Sequence, residues 1–278
     1  MGEESATAAE ALRKAAERLS ATSDTARLDA EVLMAHALGV SRSELLLRHM
    51  RDAAPEGFAA LVERRAAHEP VAYIVGEQEF YGRSFGVTPD VLIPRSDSEA
   101  TLAAALEGAG ETGRVLDLGV GSGALLLSFL AEKPGWDGIG VDRSAGALGV
   151  AGDNAARIGV ESRAQLLRSD WHAAGWCDPL GAFHRVIANP PYVEEAADIA
   201  LSVRRYEPAG ALFAGADGLD DYRVLIPQLR SLLVPEGVAV LEIGASQAES
   251  VGEIAREAGF STDLRRDLAG RPRALILR

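Results

Sequence analysis

From Arg114 onward, short apolar runs alternate with helical stretches, and this alternation restricts the fold of the 278-residue chain more than any other feature. The runs are Val115–Leu118, Gly138–Val141, Gln165–Leu167, Arg185–Ala188, Val238–Ile243 and Ala274–Leu277. Between them lie stretches with helical character, including Ala124–Ala131, Ala145–Ile158 and Asp220–Leu233. Strand-length apolar runs separated by helices predict a parallel, doubly wound α/β sheet covered on both faces. Ligands of such sheets bind beyond the carboxyl ends of the strands, so chemistry is expected where an apolar run stops.

The chain before this pattern reads as helical. Leu12, Ala15, Ala16 and Leu19 share one face of a helix over Ala8–Leu19. Leu28, Val32, Leu33 and Ala35 continue the period in a second helix, which Gly39 can close. Ser41-Arg42-Ser43-Glu44 is a capping box, and a further helix follows Pro55 and runs to Pro70. Residues 1–70 are therefore expected to form a small helical-bundle domain, with substrate recognition as its role. In Val71–Val87, branched and aromatic residues flank Gly76 and Gly82, which predicts a β-hairpin linker, assigned to 71–90, before a catalytic domain over 91–278.

Composition narrows the function. Lys and Arg number 28 against 41 Asp and Glu, a net charge of −13, which argues against broad binding to phosphate backbones. Arg204–Arg205 and Arg265–Arg266 are read as solvated charges. One cysteine, Cys177, and five scattered histidines offer neither a disulfide framework nor the spacing of a metal site, so no metal is expected. The charged start of the chain lacks an apolar signal core, and no stretch has the length of a membrane span. A cytoplasmic protein without membrane partners is expected.

The first strand runs into Asp117-Leu118-Gly119-Val120-Gly121-Ser122-Gly123-Ala124. Glycines allow a sharp turn and close approach of a ligand to the backbone, and the following helix presents free amides. At the end of the next strand, Asp142 can accept hydrogen bonds from both hydroxyls of a ribose. Gly119-x-Gly121-x-x-Ala124 would also pass as the dinucleotide fingerprint of a dehydrogenase. Asp117 leans the other way: it would repel a pyrophosphate but attract a methionine ammonium or a sulfonium. Asp170 can accept from an adenine amino group, and the Trp171 indole can cover its ring. These residues predict an S-adenosylmethionine site.

After Arg185–Ala188 comes Asn189-Pro190-Pro191-Tyr192, the most specific feature in the sequence. Two prolines fix the backbone and remove two amide donors. The Asn189 side-chain oxygen and the Pro190 carbonyl remain as acceptors, and Tyr192 adds a flat surface. An amide or aromatic amino nitrogen is a poor nucleophile because its lone pair is delocalised. Two acceptors on its N–H bonds would orient it, help localise that pair and stabilise positive charge developing in the transition state. Asn189, Pro190 and Tyr192 are thus the candidate catalytic residues, and Asn189 through Tyr192 the candidate substrate contacts.

At this point the sequence resembles the bacterial release factor glutamine methyltransferases. RLDAEVLMAHALG, EPVAYIVGEQEFYG, VLIPRSDSE, VLDLGVGSG, SDW, VIANPPYV, EPAGALFAGADGLDDYR, LEIGASQ and DLAGRPR carry the resemblance in order along nearly the whole chain. It implies a class I S-adenosylmethionine-dependent methyltransferase sheet, seven-stranded and mostly parallel, joined by a hairpin to the helical domain. It implies methylation of the glutamine in the Gly-Gly-Gln loop of peptide chain release factors, by an enzyme expected to act as a monomer. Cofactor binding would fall to Asp117, Gly119, Val120, Gly121, Ser122, Gly123, Asp142, Asp170, Trp171 and Asn189. The segment after Arg95 usually reads Pro-Asp-Thr-Glu in this family and here is Ser96-Asp97-Ser98-Glu99; Val120 stands where Thr is frequent.

Other readings remain open on these residues. Asn-Pro-Pro-Tyr also occurs in enzymes acting on amino groups of nucleic-acid bases and in one acting on a ribosomal protein glutamine. The acidic balance disfavours nucleic acid, and LEIGASQ and DLAGRPR favour the release factor enzymes. A dehydrogenase would want a general acid or base, and a silent binding module would hold cofactor without transferring a methyl group.

Overall fold

The computed structural model describes residues 6–278; the first five residues of the expected helical domain lie outside that range. The chain divides into two compact units, one formed by the described residues up to Glu77 together with Ile199–Tyr206, the other by Gln78–Asp198 and Glu207–Arg278. Helices α1 to α6 are Ala8–Leu19, Ala26–Leu38, Arg42–Glu44, Phe58–Ala66, Val71–Val75 and Glu99–Leu106. Helices α7 to α12 are Ala124–Glu132, Ala145–Ile158, Leu201–Tyr206, Asp220–Leu225, Leu229–Leu232 and Ala248–Glu257. Strands β1 to β5 are Glu77–Phe80, Arg83–Gly86, Thr112–Leu118, Gly135–Asp142 and Ala164–Arg168. Strands β6 to β9 are Phe183–Ala188, Leu233–Glu242, Thr262–Arg266 and Pro272–Leu277.

The first unit is a helical bundle around Leu12, Leu19, Leu33, Met34 and Leu45, all fully buried. Capping boxes start α1 and α3: the Thr7 and Ser41 hydroxyls accept from the amides of Glu10 and Glu44, whose carboxylates accept in return. Gly39, at φ 68°, closes α2 as its position predicts. The later helix α9 belongs to the same unit, where the Tyr206 hydroxyl donates to the Ala67 carbonyl at 2.9 Å.

Two elements differ from expectation. Val71–Val75 is helical rather than the first arm of a hairpin. Its residues Ala72, Tyr73 and Ile74 are all buried, which alternating strand geometry does not allow beside one covered face, and the Pro70 carbonyl accepts from the amides of Tyr73 and Ile74. The hairpin is confined to β1 and β2, turned by Tyr81 (φ 51°) and Gly82 (φ 71°), a pair of left-handed residues that matches the twist of the strands. The single helix expected over Asp220–Leu233 is broken: Pro227 supplies no amide, a 3-10 turn fills Ile226–Gln228 between α10 and α11, and Leu233 already starts β7.

The second unit carries a seven-stranded sheet in the order β5-β4-β3-β6-β7-β9-β8. Pairings from β5 through β7 are parallel, and β9 runs antiparallel to both of its neighbours. One apolar layer, with Leu116, Val186, Tyr222 and Leu241, lies on one face, and another, with Val115, Leu126, Phe129 and Ile187, on the other. β3 continues to β4 on one side while β6 pairs on its other side, so a crevice opens where the loops after β3 and β6 diverge. Gly119 and Asn189 begin those two loops.

Candidate functional site

A cavity of about 270 Å³ occupies this crevice. Of the residues singled out in the sequence, Asp117, Gly119, Val120, Gly121, Ser122, Asp142, Asp170, Trp171, Asn189 and Pro191 line it; Gly123, Pro190 and Tyr192 do not.

The loop after β3 is tied down at its root, where the amides of Gly119 and Val120 both donate to the Val141 carbonyl at 2.9 Å. Gly119 has φ 81° and passes under the indole: a Cβ there would sit 3.4 Å from Trp171. Gly123 serves the fold, because a Cβ at its φ of 83° would come within 2.5 Å of Leu127 at the start of α7. The Val120 side chain is buried in the apolar layer, and its amide keeps the contact to the Val141 carbonyl.

Asp142 ends β4 with a half-buried carboxylate. Oδ2 accepts from the Gly121 amide at 3.0 Å and Oδ1 from the Ser144 amide at 2.9 Å. Asp117 is buried much more deeply, at 1% exposure. Oδ2 accepts from the Leu126 amide at 3.2 Å, while Oδ1 is buried without a hydrogen-bond partner. Burial pushes its carboxyl up to about 7; the Leu126 amide opposes this and the charge of Asp142 adds to it. A buried acceptor at a cavity wall is costly unless a donor or cation meets it there.

Trp171 forms a wall. Its Nε1 donates to Asp221 Oδ1 at 2.8 Å, and Gln228 Nε2 donates to its carbonyl at 3.2 Å. Asp170 Oδ1 accepts from the His172 amide at 2.9 Å, which fixes its own turn. Opposite, Arg143 donates to the Gly210 carbonyl at 2.8 Å, joining two segments that border the cavity.

Asn189-Pro190-Pro191-Tyr192 leaves the end of β6 with both prolines buried. The segment is held on its far side: Val193 donates to the Leu212 carbonyl at 2.8 Å, and Ala214 donates to the Val193 carbonyl at 3.0 Å. Gln247 Nε2 donates to the Tyr192 carbonyl at 3.1 Å. The Tyr192 ring packs against the apolar layer below, and its hydroxyl donates to Glu242 Oε1 at a long 3.5 Å. Burial, with the charge of Glu242 adding, pushes that hydroxyl up to about 12, so it remains protonated.

Several residues of the site escaped the sequence reading. Asn154, 1% exposed on α8, donates to the carbonyls of Ser122 and Gly86 and accepts from the Gly86 amide, clamping the glycine loop to β2. A lone amide side chain among alanines was its one available signal. Asp221 had none, since its role depends on a contact 50 residues away. Val91, Leu92, Pro94, Arg95 and Ser98 line the cavity from the VLIPRSDSE block, and Pro89 and Asp90 line it from the expected linker.

Among the described residues, no group of three or more His, Cys, Asp and Glu side chains could hold a metal ion, and no helix is long and apolar enough to cross a membrane. Residues 10–76 match the family model described as PrmC N-terminal domain, and residues 97–211 match that of a methyltransferase small domain. A solved methyltransferase from Pyrococcus furiosus shares the fold, with a TM-score of 0.52 at 16% identity, covering 79% of this chain and 96% of its own. The release factor glutamine methyltransferase of Cereibacter sphaeroides is 43% identical over 98% of both chains. That of Rhodospirillum rubrum is 41% identical over 91% of this chain and 78% of its own. Identity at this level along the length of both units shows the lineage: the chain belongs to the release factor glutamine methyltransferase family.

Proposed function

We propose that this enzyme transfers a methyl group from S-adenosylmethionine to the side-chain amide nitrogen of the glutamine in the Gly-Gly-Gln loop of peptide chain release factors. The observation that carries the reading is the junction of two loops in one crevice, a nucleoside-type loop after β3 and the acceptor-rich turn after β6. Family membership supplies the substrate class.

The residues present fit the cofactor. Asp117 Oδ1, buried and without a partner at the cavity wall, suits the ammonium of a methionine group. The Asp142 carboxylate suits ribose hydroxyls, and Trp171 with Asp170 suits an adenine ring and its amino group. The bound cofactor supplies an electrophilic methyl carbon on a sulfonium.

The chain's own residues then align and polarise. Asn189 Oδ1 and the Pro190 carbonyl accept the two N–H bonds of the target amide, turning its nitrogen toward the methyl group. As positive charge develops on that nitrogen, both acceptors bind it more strongly than they bound the neutral amide, and this difference lowers the barrier. Proline at the next two positions keeps competing amide donors away from the acceptors. The Tyr192 ring, packed against the apolar layer outside the cavity lining, supports the turn that carries these acceptors. The N–H becomes acidic only after transfer, so no strong base is required beside it.

We place the reaction in the cytoplasm, where release factors act, and assign it to a single copy of the chain. Labelled cofactor and purified release factor test the reading: label should enter the protein and disappear when its Gly-Gly-Gln glutamine is replaced. Label on a ribosomal protein or on nucleic acid, with release factor unlabelled, would support the competing substrates instead.

A further inference from the structure

The mechanism above does not use the buried carboxyl of Glu242. Glu242 closes β7 at 1% exposure, immediately behind the Asn-Pro-Pro-Tyr turn. Its carboxylate accepts from Thr101 Oγ1 at 3.3 Å and from the Tyr192 hydroxyl at 3.5 Å. The Tyr222 hydroxyl donates to its backbone carbonyl at 2.6 Å. Alongside, Arg273 donates to Asp97 Oδ2 at 2.9 Å, and Arg271 donates to both oxygens of Asp97 at 3.0 and 3.1 Å. Segments distant in sequence, Asp97–Thr101, Tyr192, Glu242 and Arg271–Arg273, therefore meet in one polar cluster.

A carboxyl buried this far is costly even when hydrogen-bonded, and an apolar side chain of similar volume would serve the core at least as well. Its position explains the cost. Gln247 fixes the backbone end of Tyr192 through the carbonyl, and Glu242 takes the opposite end of the ring. Two anchors fix the direction of the ring's long axis, because the hydroxyl oxygen lies on that axis.

We propose that Glu242 is a positioning residue for methyl transfer: it holds the Tyr192 hydroxyl, and thereby sets the direction of the ring's axis behind the Asn-Pro-Pro-Tyr turn, while Thr101 holds Glu242 in place. The role in transfer rests on the reading of the turn as the substrate amide site; the contact itself does not. The blocks RSDSE, LEIGASQ and DLAGRPR thus converge on one task. Burial raises the Glu242 carboxyl to about 7, opposed by Ser98, Arg273 and Thr101 and assisted by Asp97, so Tyr192 faces a group that titrates near neutrality. The other charged groups acting on Tyr192 are Arg273, Arg95 and Asp97.

The test uses the full chain with tyrosine carrying ¹³C at Cζ, the Tyr192 signal being assigned by its loss in Tyr192→Phe. In the wild type the signal should move with a midpoint near 7, and in Glu242→Gln, which preserves volume, that transition should vanish. A flat wild-type signal, or the same transition in both proteins, overturns the proposal. This readout needs no methyl acceptor, so a wild type that modifies no release factor would count against the proposed function alone. With a working acceptor, Glu242→Gln and Tyr192→Phe should each lower kcat by roughly 10-fold, cofactor KM staying within about twofold, and the double variant should lose no more than the worse single one. Losses that multiply would show two independent roles and contradict the contact.

Discussion

The indole Nε1 of Trp171 donates a 2.8 Å hydrogen bond to Asp221 Oδ1, fastening one wall of the cavity to helix α10. Asp221 is itself buried at 8% exposure, so the bond is shielded from water and fixes how far the ring stands from Gly119. Asp221→Ala should leave the fold intact and weaken cofactor binding by about 5- to 30-fold, the equivalent of ~1–2 kcal/mol for a hydrogen bond to a charged group. Calorimetric titration checks this, and unchanged affinity would show that the indole is held by packing alone.

Asp117 makes stability and binding depend on pH in opposite senses. Its folded-state carboxyl titrates at about 7 against an ordinary 3.8, so between these values the native state binds more protons than the unfolded state. Stability of the cofactor-free protein should therefore fall as pH rises through that window and level off above it. Glu242, raised from 4.5 to about 7, contributes with the same sign. Melting temperatures across the range should show the decline, and Asp117→Asn should reduce it.

Cofactor binding follows from the same carboxyl. An ammonium favours ionised Asp117, so affinity should rise with pH toward neutrality, with a proton released on binding below about 7. Calorimetry in buffers of different ionisation enthalpy counts that proton. Proton uptake, or an undiminished release in Asp117→Asn, would remove Asp117 from the ammonium site.

Asp142 is expected to act on the cofactor rather than on transfer. Replacing it with Ala removes the acceptor proposed for ribose and the acceptor for the amides of Gly121 and Ser144. Binding should weaken by ~1.5–3 kcal/mol, roughly 10- to 150-fold, with kcat at saturating cofactor little changed. An unaltered dissociation constant would show the ribose assignment to be wrong.

The sheet was legible wherever strands are apolar throughout. Strand β8, Thr-Asp-Leu-Arg-Arg at the sheet's edge, was not, because a half-exposed edge strand has no continuous apolar run. Val71–Val75 misled for the converse reason: its branched and aromatic residues have strand propensity, but Pro70 and Gly76 frame a single buried helical turn. Pro227 was visible in the sequence, yet helical periodicity on either side concealed the break it makes.

Legibility of the site followed the locality of its contacts. The glycine loop, Asp142 and Asn189 could be found because each sits at a strand end beside its own motif. Asp221, Asn154 and Glu242 matter through partners far along the chain, which spacing does not reveal. Tyr192 was recognised, but its hydroxyl turns to Glu242 while the ring lies outside the cavity lining.

The central claim concerns Asn189 and the amide it grips. Wild-type enzyme and Asn189→Ala, each with cofactor and a purified release factor, can be compared by fragmentation mass spectrometry of the peptide containing Gly-Gly-Gln. The account predicts one added methyl on the glutamine side chain with wild type and a loss of about 10²- to 10³-fold in rate with the variant. Near-normal methylation by Asn189→Ala, or a methyl located on any other residue, would contradict it.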